Sequence, residues 1–249
     1  MTRYLRGNKN RIKHQKEYFS KECKRIKKYE LLPWHKTYIK RIKKSLLDKD
    51  LTGKKLIDIG SGSGYVAIEM AKMGIEVMAC DITKEYLKFI EKYKKRFLLT
   101  NLKLINCSAD DIPLKNNSVD YAVANAILEH LSYEKKAIKE WKRILKPKGK
   151  IFLTVPIKYK YIWPFFWPLN LIYDKKIGHL RRYDLKTIKE KFGMRVEKVY
   201  YSGHLIKMIS LLISLFYRSS KLDAFIERID SKFSNVPWGA SNIIVILGN

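Results

Sequence analysis

The sequence predicts an α/β fold whose mostly parallel sheet carries helices on both faces, and three observations support this. Short apolar runs of strand type fall at about 55–60, 75–80, 102–107, 119–124 and 150–155. Helical stretches near 64–73, 83–97 and 133–145 alternate with them, as strand–helix–strand units require. The positions that look ligand-facing, Gly60, Asp81, Ser108 and Asn125, each follow the C-terminal end of one of these strands. Open parallel sheets bind ligands at those ends.

Residues 1–50 read as a basic helical cap in front of this sheet. An apolar stripe runs through Tyr18, Phe19, Ile26, Tyr29 and Leu32, and Pro33 interrupts it. The first strand belongs to LIDIGSGSG, where Leu56, Ile57 and Ile59 give way to Gly60, Gly62 and Gly64 and then to a helix from Tyr65. Such a turn is expected to expose backbone N–H groups, and glycine lets a ligand approach bare backbone. A dinucleotide site reads G-x-G-x-x-G, but here Tyr65 stands where the third glycine would fall. Asp58 lies inside the strand just before the turn. A carboxylate there repels a pyrophosphate and suits a cationic or amino-bearing ligand.

The second strand ends in EVMACDIT at Asp81, at the distance that one helix and one strand require. SADDIPLKNNSVDYAVANAILEHL and LKPKGKIFLTVP complete the pattern through the fourth and fifth strands. Over about residues 50–156 these motifs resemble the class I S-adenosylmethionine (SAM)-dependent methyltransferases, in the small-molecule branch that includes the quinone-biosynthesis methylases. The resemblance implies a Rossmann-like, seven-stranded, mostly parallel sheet. It also implies N-terminal helices over the cofactor and a last strand, NIIVIL, that runs antiparallel. Residues 51–249 would form the methyltransferase domain, with insertions at about 157–183 and 203–235.

The same resemblance assigns the cofactor site to Asp58, Gly60, Ser61, Gly62, Ser63, Gly64, Asp81, Ile82, Ser108, Ala109, Asp110, Asn125 and Ala126. Asp81 would accept the ribose hydroxyls, since one carboxylate takes two O–H donors. Ser108 stands where the family has an Asp, and Asp110 or Asp111 is available to cover for it.

After the fifth strand, IKYKYIWPFFWPLNLIY (157–173) is crowded with aromatics and broken by Pro164 and Pro168. Helical or strand continuity is not expected across both prolines. Its composition suggests an apolar lid or substrate wall, with Trp163 and Phe166 facing the acceptor. In GHLRRYDLKTIKEKFG, Asp184 is placed to cap a helix that ends at Gly193. Arg181 and Tyr183 in this stretch are further substrate-binding candidates. LIKMISLLISLFYRSS reads as an apolar helix with a narrow polar stripe at Lys207, Ser210, Ser214 and Arg218. It is either a buried helix or a lid or membrane-surface helix.

Methyl transfer to oxygen benefits from a base, and His130 in ILEHL and His179 in GHLRRY are the candidate catalytic residues. The chain lacks a Pro-Pro-aromatic sequence after the fourth strand and a cysteine after proline. This disfavours methylation of base amines and of cytosine C5. No His/Cys cluster has metal-ligand spacing, so no metal is expected.

The formal charge of +28 comes from 52 Lys and Arg against 24 Asp and Glu. It is compatible with a lysine-rich composition, an anionic membrane surface or nucleic acid. The expected acceptor is a hydrophobic, lipid-linked or isoprenoid-like small molecule, methylated on oxygen or carbon. An RNA methyltransferase and an inactive SAM-fold binding protein are the alternatives. Cys23, Cys80 and Cys107 are expected to be reduced structural thiols, and no signal peptide or membrane-spanning run is visible. The expected location is the cytoplasm, either free or peripheral on the inner face of the membrane.

Overall fold

The computed structural model describes residues 2–47, 50–204 and 219–249. The apolar helix expected over 205–218 lies outside the described residues. Seven strands form one sheet: β1 (Lys55–Ile59), β2 (Glu76–Asp81), β3 (Leu102–Asn106), β4 (Val119–Asn125), β5 (Leu145–Pro156), β6 (Arg195–Ser202) and β7 (Asn242–Gly248). Their order is β3-β2-β1-β4-β5-β7-β6. β1 to β5 pair in parallel, while β7 runs antiparallel to both β5 and β6. Strand order therefore reverses at β1 and β4, and a crevice opens beyond their C-terminal ends.

Alternate residues of each central strand feed two separate cores. Ile57 and Ile59, Ala122 and Ala124, and Ile243, Val245 and Leu247 face one side. Leu56, Tyr121 and Val123, and Ile244 and Ile246 face the other. Burial on both faces is why these strands read as continuous apolar runs. The first side is covered by α5 (Glu134–Ile144) and α7 (Leu185–Phe192), with Trp141 and Phe192 fully buried. The second is covered by α2 (Pro33–Ser45), α3 (Tyr65–Ala71) and α4 (Lys84–Arg96). Asp184 caps α7 by accepting the Thr187 N–H at 2.9 Å, and Gly193 ends it at φ +57°.

The chain differs from the expected elements in three places. Pro33 starts α2 instead of merely interrupting a stripe, and α1 (Thr2–Arg25) precedes it as one long helix. The aromatic segment is helical despite its two prolines. Pro164 opens a 3-10 turn (Pro164–Phe166), and Pro168 lies in the first turn of α6 (Trp167–Ile177). Proline is tolerated there because a first-turn N–H has no intrahelical partner to lose. The last helix, α8 (Ser220–Lys232), is capped by Ser219.

The third difference is covalent. Cys80 and Cys107 are joined in a disulfide, where reduced thiols were expected. Pairing of β2 with β3 sets Cys80 opposite Ile105, and Cys107 follows just past the strand, leaving the two Cα atoms 5.9 Å apart. Cys23 is free and buried. Among the described residues, no helix is long and apolar enough to cross a membrane.

Candidate active site

The glycine turn takes its shape from β2. The N–H groups of Gly60 and Ser61 donate to the Cys80 carbonyl at 2.8 and 3.0 Å, and that of Gly64 donates to Ser61 O at 2.8 Å. Gly62 N–H donates to Asp81 Oδ2 at 2.9 Å. These four donors are therefore satisfied within the protein, so most of the turn does not offer the exposed N–H groups expected from its glycines. It serves instead as a shaped wall. A Cβ on Gly64 would lie 2.5 Å from Ile90 and one on Gly60 2.9 Å from Ile127, whereas one on Gly62 would meet nothing within 4 Å. Gly62 borders open space.

That space is a cavity of about 250 Å³ at the strand ends. Asp58, Gly60, Ser61, Gly62, Ser63, Asp81, Ile82, Ser108, Ala109, Asp110, Asn125 and Ala126 all line it, and Gly64 lies behind the wall. Asp58 accepts the Ala67 N–H at 3.1 Å, which fixes it under the start of α3. Burial, with repulsion from Asp81 added, outweighs that hydrogen bond and pushes Asp58 up to about 7. Asp81 is also raised by burial, although the N–H groups of Thr83 and Gly62 offset part of the rise. Ser108 donates a hydrogen bond to Asp110 Oδ1, and both residues line the cavity.

Two buried carboxylates facing one small cavity are costly unless a cation arrives. Asn125 Oδ1 and Ser61 Oγ are buried without partners at the same wall. This donor set fits a ligand that carries positive charge together with hydroxyl or amino donors, as SAM does. It does not fit a pyrophosphate.

Part of the lining comes from α1, which the motif pattern did not reveal. Ile12, Gln15 and Phe19 close the cavity from above. Gln15 Nε2 donates to the His130 carbonyl at 2.8 Å, and the Phe19 ring meets the His130 ring edge-on at 5.4 Å. Phe19 belongs to the N-terminal apolar stripe, the one sequence signal that points here.

A second cavity, of about 730 Å³, adjoins the first and shares Phe19, Tyr86, Ala126 and His130 with it. Phe166, Leu169, Ile172 and Tyr173 give it an apolar wall from the aromatic segment, and Glu129 and His179 also line it. At the boundary Ala126 holds φ +53°, an uncommon conformation for a residue with a side chain. The Leu180 N–H donates to the Glu129 carbonyl at 2.8 Å. This bond brings the 178–180 turn onto the 3-10 turn Leu128–His130, so His130 and His179 lie 4.8 Å apart, ring to ring.

The remaining candidates are placed elsewhere. Trp163 packs on Trp238 at 5.3 Å, outside the lining of either cavity. Arg181 donates to the Leu131 carbonyl at 2.6 Å. Tyr183 is buried in the core, with its hydroxyl directed at the Leu128 carbonyl. These three side chains are held by the protein itself, which leaves Phe166 as the substrate candidate that lines the second cavity.

Residues 57–153 match the family model described as a methyltransferase domain. This stretch is similar to the methyltransferase domain of class I SAM-dependent enzymes. The matched residues run from β1 into β5 and include the wall at the strand ends. The domain is similar to a ubiquinone/menaquinone biosynthesis C-methyltransferase of Rickettsia bellii, 30% identical over 155 residues that make up 58% of this chain and 60% of that one. An uncharacterised methyltransferase of Bacillus subtilis is 24% identical over 128 residues, 51% of this chain and 47% of the relative. The chain thus spans about half to three fifths of the length of these curated relatives. Among solved structures, a geranyl diphosphate C-methyltransferase from Streptomyces coelicolor superimposes with a TM-score of 0.62 at 12% identity, covering 86% of this chain and 78% of that one. At that identity the likeness concerns the fold.

Proposed function

We propose that this protein transfers a methyl group from SAM to an oxygen, or alternatively a carbon, of a hydrophobic small molecule of lipid-linked or isoprenoid-like type. The observation that carries this reading is the pair of cavities that meet at Ala126 and His130. One is small, acidic and bordered by the glycine turn; the other is larger and walled by apolar side chains. When bound, SAM supplies a methyl carbon already activated on its sulfonium. Asp58 would provide the negative charge for the cationic end, Asp81 would accept the ribose hydroxyls, and Ser108, Ala109 and Asp110 would border the adenine. Ile12, Gln15 and Phe19 of α1 keep water from the first cavity beside its boundary with the second, where alignment of the acceptor contributes to the rate.

The acceptor reading extends to an anionic membrane surface. Phe165, Leu171, Ile172 and Tyr173 are exposed around α6, with Lys175 and Lys176 exposed at its end. Ile172, Tyr173 and Lys176 also border the acceptor cavity, so its mouth and the apolar patch are continuous. Apolar side chains ringed by lysines on a chain of charge +28 favour attachment to anionic head groups. An RNA acceptor would share the charge dependence, but an apolar-walled cavity supports a small molecule better.

The test is calorimetric titration with SAM and with S-adenosylhomocysteine, followed by transfer of labelled methyl to a lipid extract and to RNA. Micromolar binding and labelled lipid support the reading. Absence of binding would refute the cofactor assignment, and label entering RNA alone would refute the acceptor class.

A further inference from the structure

We propose that His179, oriented by Asp174, takes the proton from the acceptor's hydroxyl group, and that the acceptor is therefore of phenol or enol type. The inference rests on the acceptor reading given above and names the group that acts within that cavity.

Asp174 is fixed from several sides. Its Oδ2 accepts from Arg182 Nε and from the Tyr159 hydroxyl, each at 2.7 Å, and its Oδ1 accepts from Arg182 Nη2 at 2.9 Å. Arg182 is anchored in turn on Ile157 O and Asn170 Oδ1, both at 3.1 Å, with its guanidinium 4.4 Å over the Tyr159 ring. Burial alone would raise the Asp174 pKa, but the bonds from His179, Arg182 and Tyr159 outweigh it and hold the carboxyl below the usual range. Asp174 is an ionised carboxylate with no freedom to swing.

His179 is delivered to it by the end of α6. Gly178 adopts φ +78°, which turns the chain so that the His179 N–H reaches the Asp174 carbonyl at 2.9 Å. The ring folds back and Nδ1 meets Asp174 Oδ1 at 2.8 Å. A carboxylate only accepts, so Nδ1 carries the proton and Nε2 presents its lone pair. Nε2 is 3.7 Å from Glu129 Oε1, beyond hydrogen-bond length, and the His179 side chain borders the acceptor cavity. A base held in one tautomer by a fixed acid is the arrangement that activates hydroxyl nucleophiles.

The neighbouring charges agree with this role. Burial, with His179 adding to it, holds His130 neutral, down to about 3, and its Nδ1 is buried without a partner. His130 thus lacks the carboxylate that a base would need, and it serves as a neutral wall at the boundary of the cavities. Burial also pushes Glu129 up to about 8, so at neutral pH it puts no second negative charge beside a developing oxyanion. Tyr173 on α6, Tyr18 and Glu22 on α1, Tyr86 on α4, and Lys176 complete the titratable groups around the cavity. In the step itself the acceptor's O–H bond breaks and its electron pair stays on oxygen. The proton passes to Nε2, and the resulting imidazolium is paired with Asp174. Imidazole matches the acidity of a phenol or enol and not that of an alkanol, and this selects the acceptor class.

The probe is 4-nitrophenol, whose ionised form is read by absorbance while it is bound to the full chain. The wild type should ionise the bound probe at lower pH than water does. In His179→Gln and Asp174→Asn the midpoint should rise by about one pH unit, a tenfold loss of ionised probe at fixed pH. S-adenosylhomocysteine affinity measured on the same variants shows that each is folded. Nitrogen NMR of the wild-type imidazoles should find His179 protonated at Nδ1, a result that needs no variant. An unchanged midpoint in His179→Gln, or a probe that binds the wild type un-ionised across about pH 5 to 8, would overturn the proposal. So would ionisation that disappears with a chelator and returns with a divalent cation, because Glu129, His130 and His179 would then be metal ligands. If the wild type fails to bind S-adenosylhomocysteine, the cofactor reading falls instead. The probe titration does not depend on that ligand and still decides the base.

Discussion

Asp58 illustrates what one side chain does at this site. Its carboxyl is raised to about 7, so the ligand-free protein keeps it largely protonated below that pH. A cationic ligand prefers the ionised form. Affinity for SAM should therefore rise with pH up to about 7 and then level, with proton release on binding below that point; calorimetry in buffers of different ionisation enthalpy reads both. Stability runs the other way. A carboxyl whose folded pKa exceeds its unfolded value of about 3.9 contributes stability at low pH that is lost as pH rises through 7. Asp58→Asn should remove that contribution, so that the ligand-free variant melts no lower than wild type at about pH 8. The same variant should lose about 2–3 kcal/mol of SAM affinity, the worth of a charged hydrogen bond. Full affinity in Asp58→Asn would show that the cationic end of the ligand lies elsewhere.

The glycine turn is the element that separates folding from binding. Gly53 and Gly64 both have positive φ, at +66° and +74°, but a Cβ on Gly53 meets nothing while one on Gly64 strikes Ile90 on α4. Gly53→Ala should therefore cost about 1 kcal/mol, the left-handed penalty alone. Gly64→Ala should cost about 2–4 kcal/mol, since α4 has to move as well. Gly62→Val is different in kind. Its side chain enters the open cavity, so SAM binding should disappear while the melting temperature falls only by the backbone cost. Thermal melts with and without S-adenosylhomocysteine distinguish the three variants.

At the scale of the molecule, charge and the α6 patch act together. Phe165 and Leu171 are 61% and 48% exposed and do not line the acceptor cavity. The protein should sediment with anionic vesicles at low salt and leave them as salt rises. Replacing both residues with Glu should weaken that binding at least tenfold without changing S-adenosylhomocysteine affinity, because their apolar area no longer enters the lipid. Equal retention of wild type and double variant would mean that the charge alone accounts for the attachment.

The sequence by itself determined the sheet and the cofactor wall. Strand positions from Lys55–Ile59 to Val119–Asn125 could be read from apolar runs because both faces of the sheet are buried, and the ligand-facing residues sit at fixed offsets from those strands. These are local patterns, and neighbouring residues carry them. The sequence did not disclose features built from distant segments. The resemblance put N-terminal helices over the cofactor but did not name the side chains that close its cavity, Gln15 and Phe19 on His130, across more than a hundred residues. Cys80 meets Cys107 only because β2 pairs with β3. Asp174, just past the aromatic stretch, meets His179 only because α6 forms with Pro168 in its first turn and its glycine cap turns His179 back onto it. Periodicity records which face of an element is buried. Only packing decides which buried side chains meet, and the chemistry at the acceptor cavity depends on that meeting.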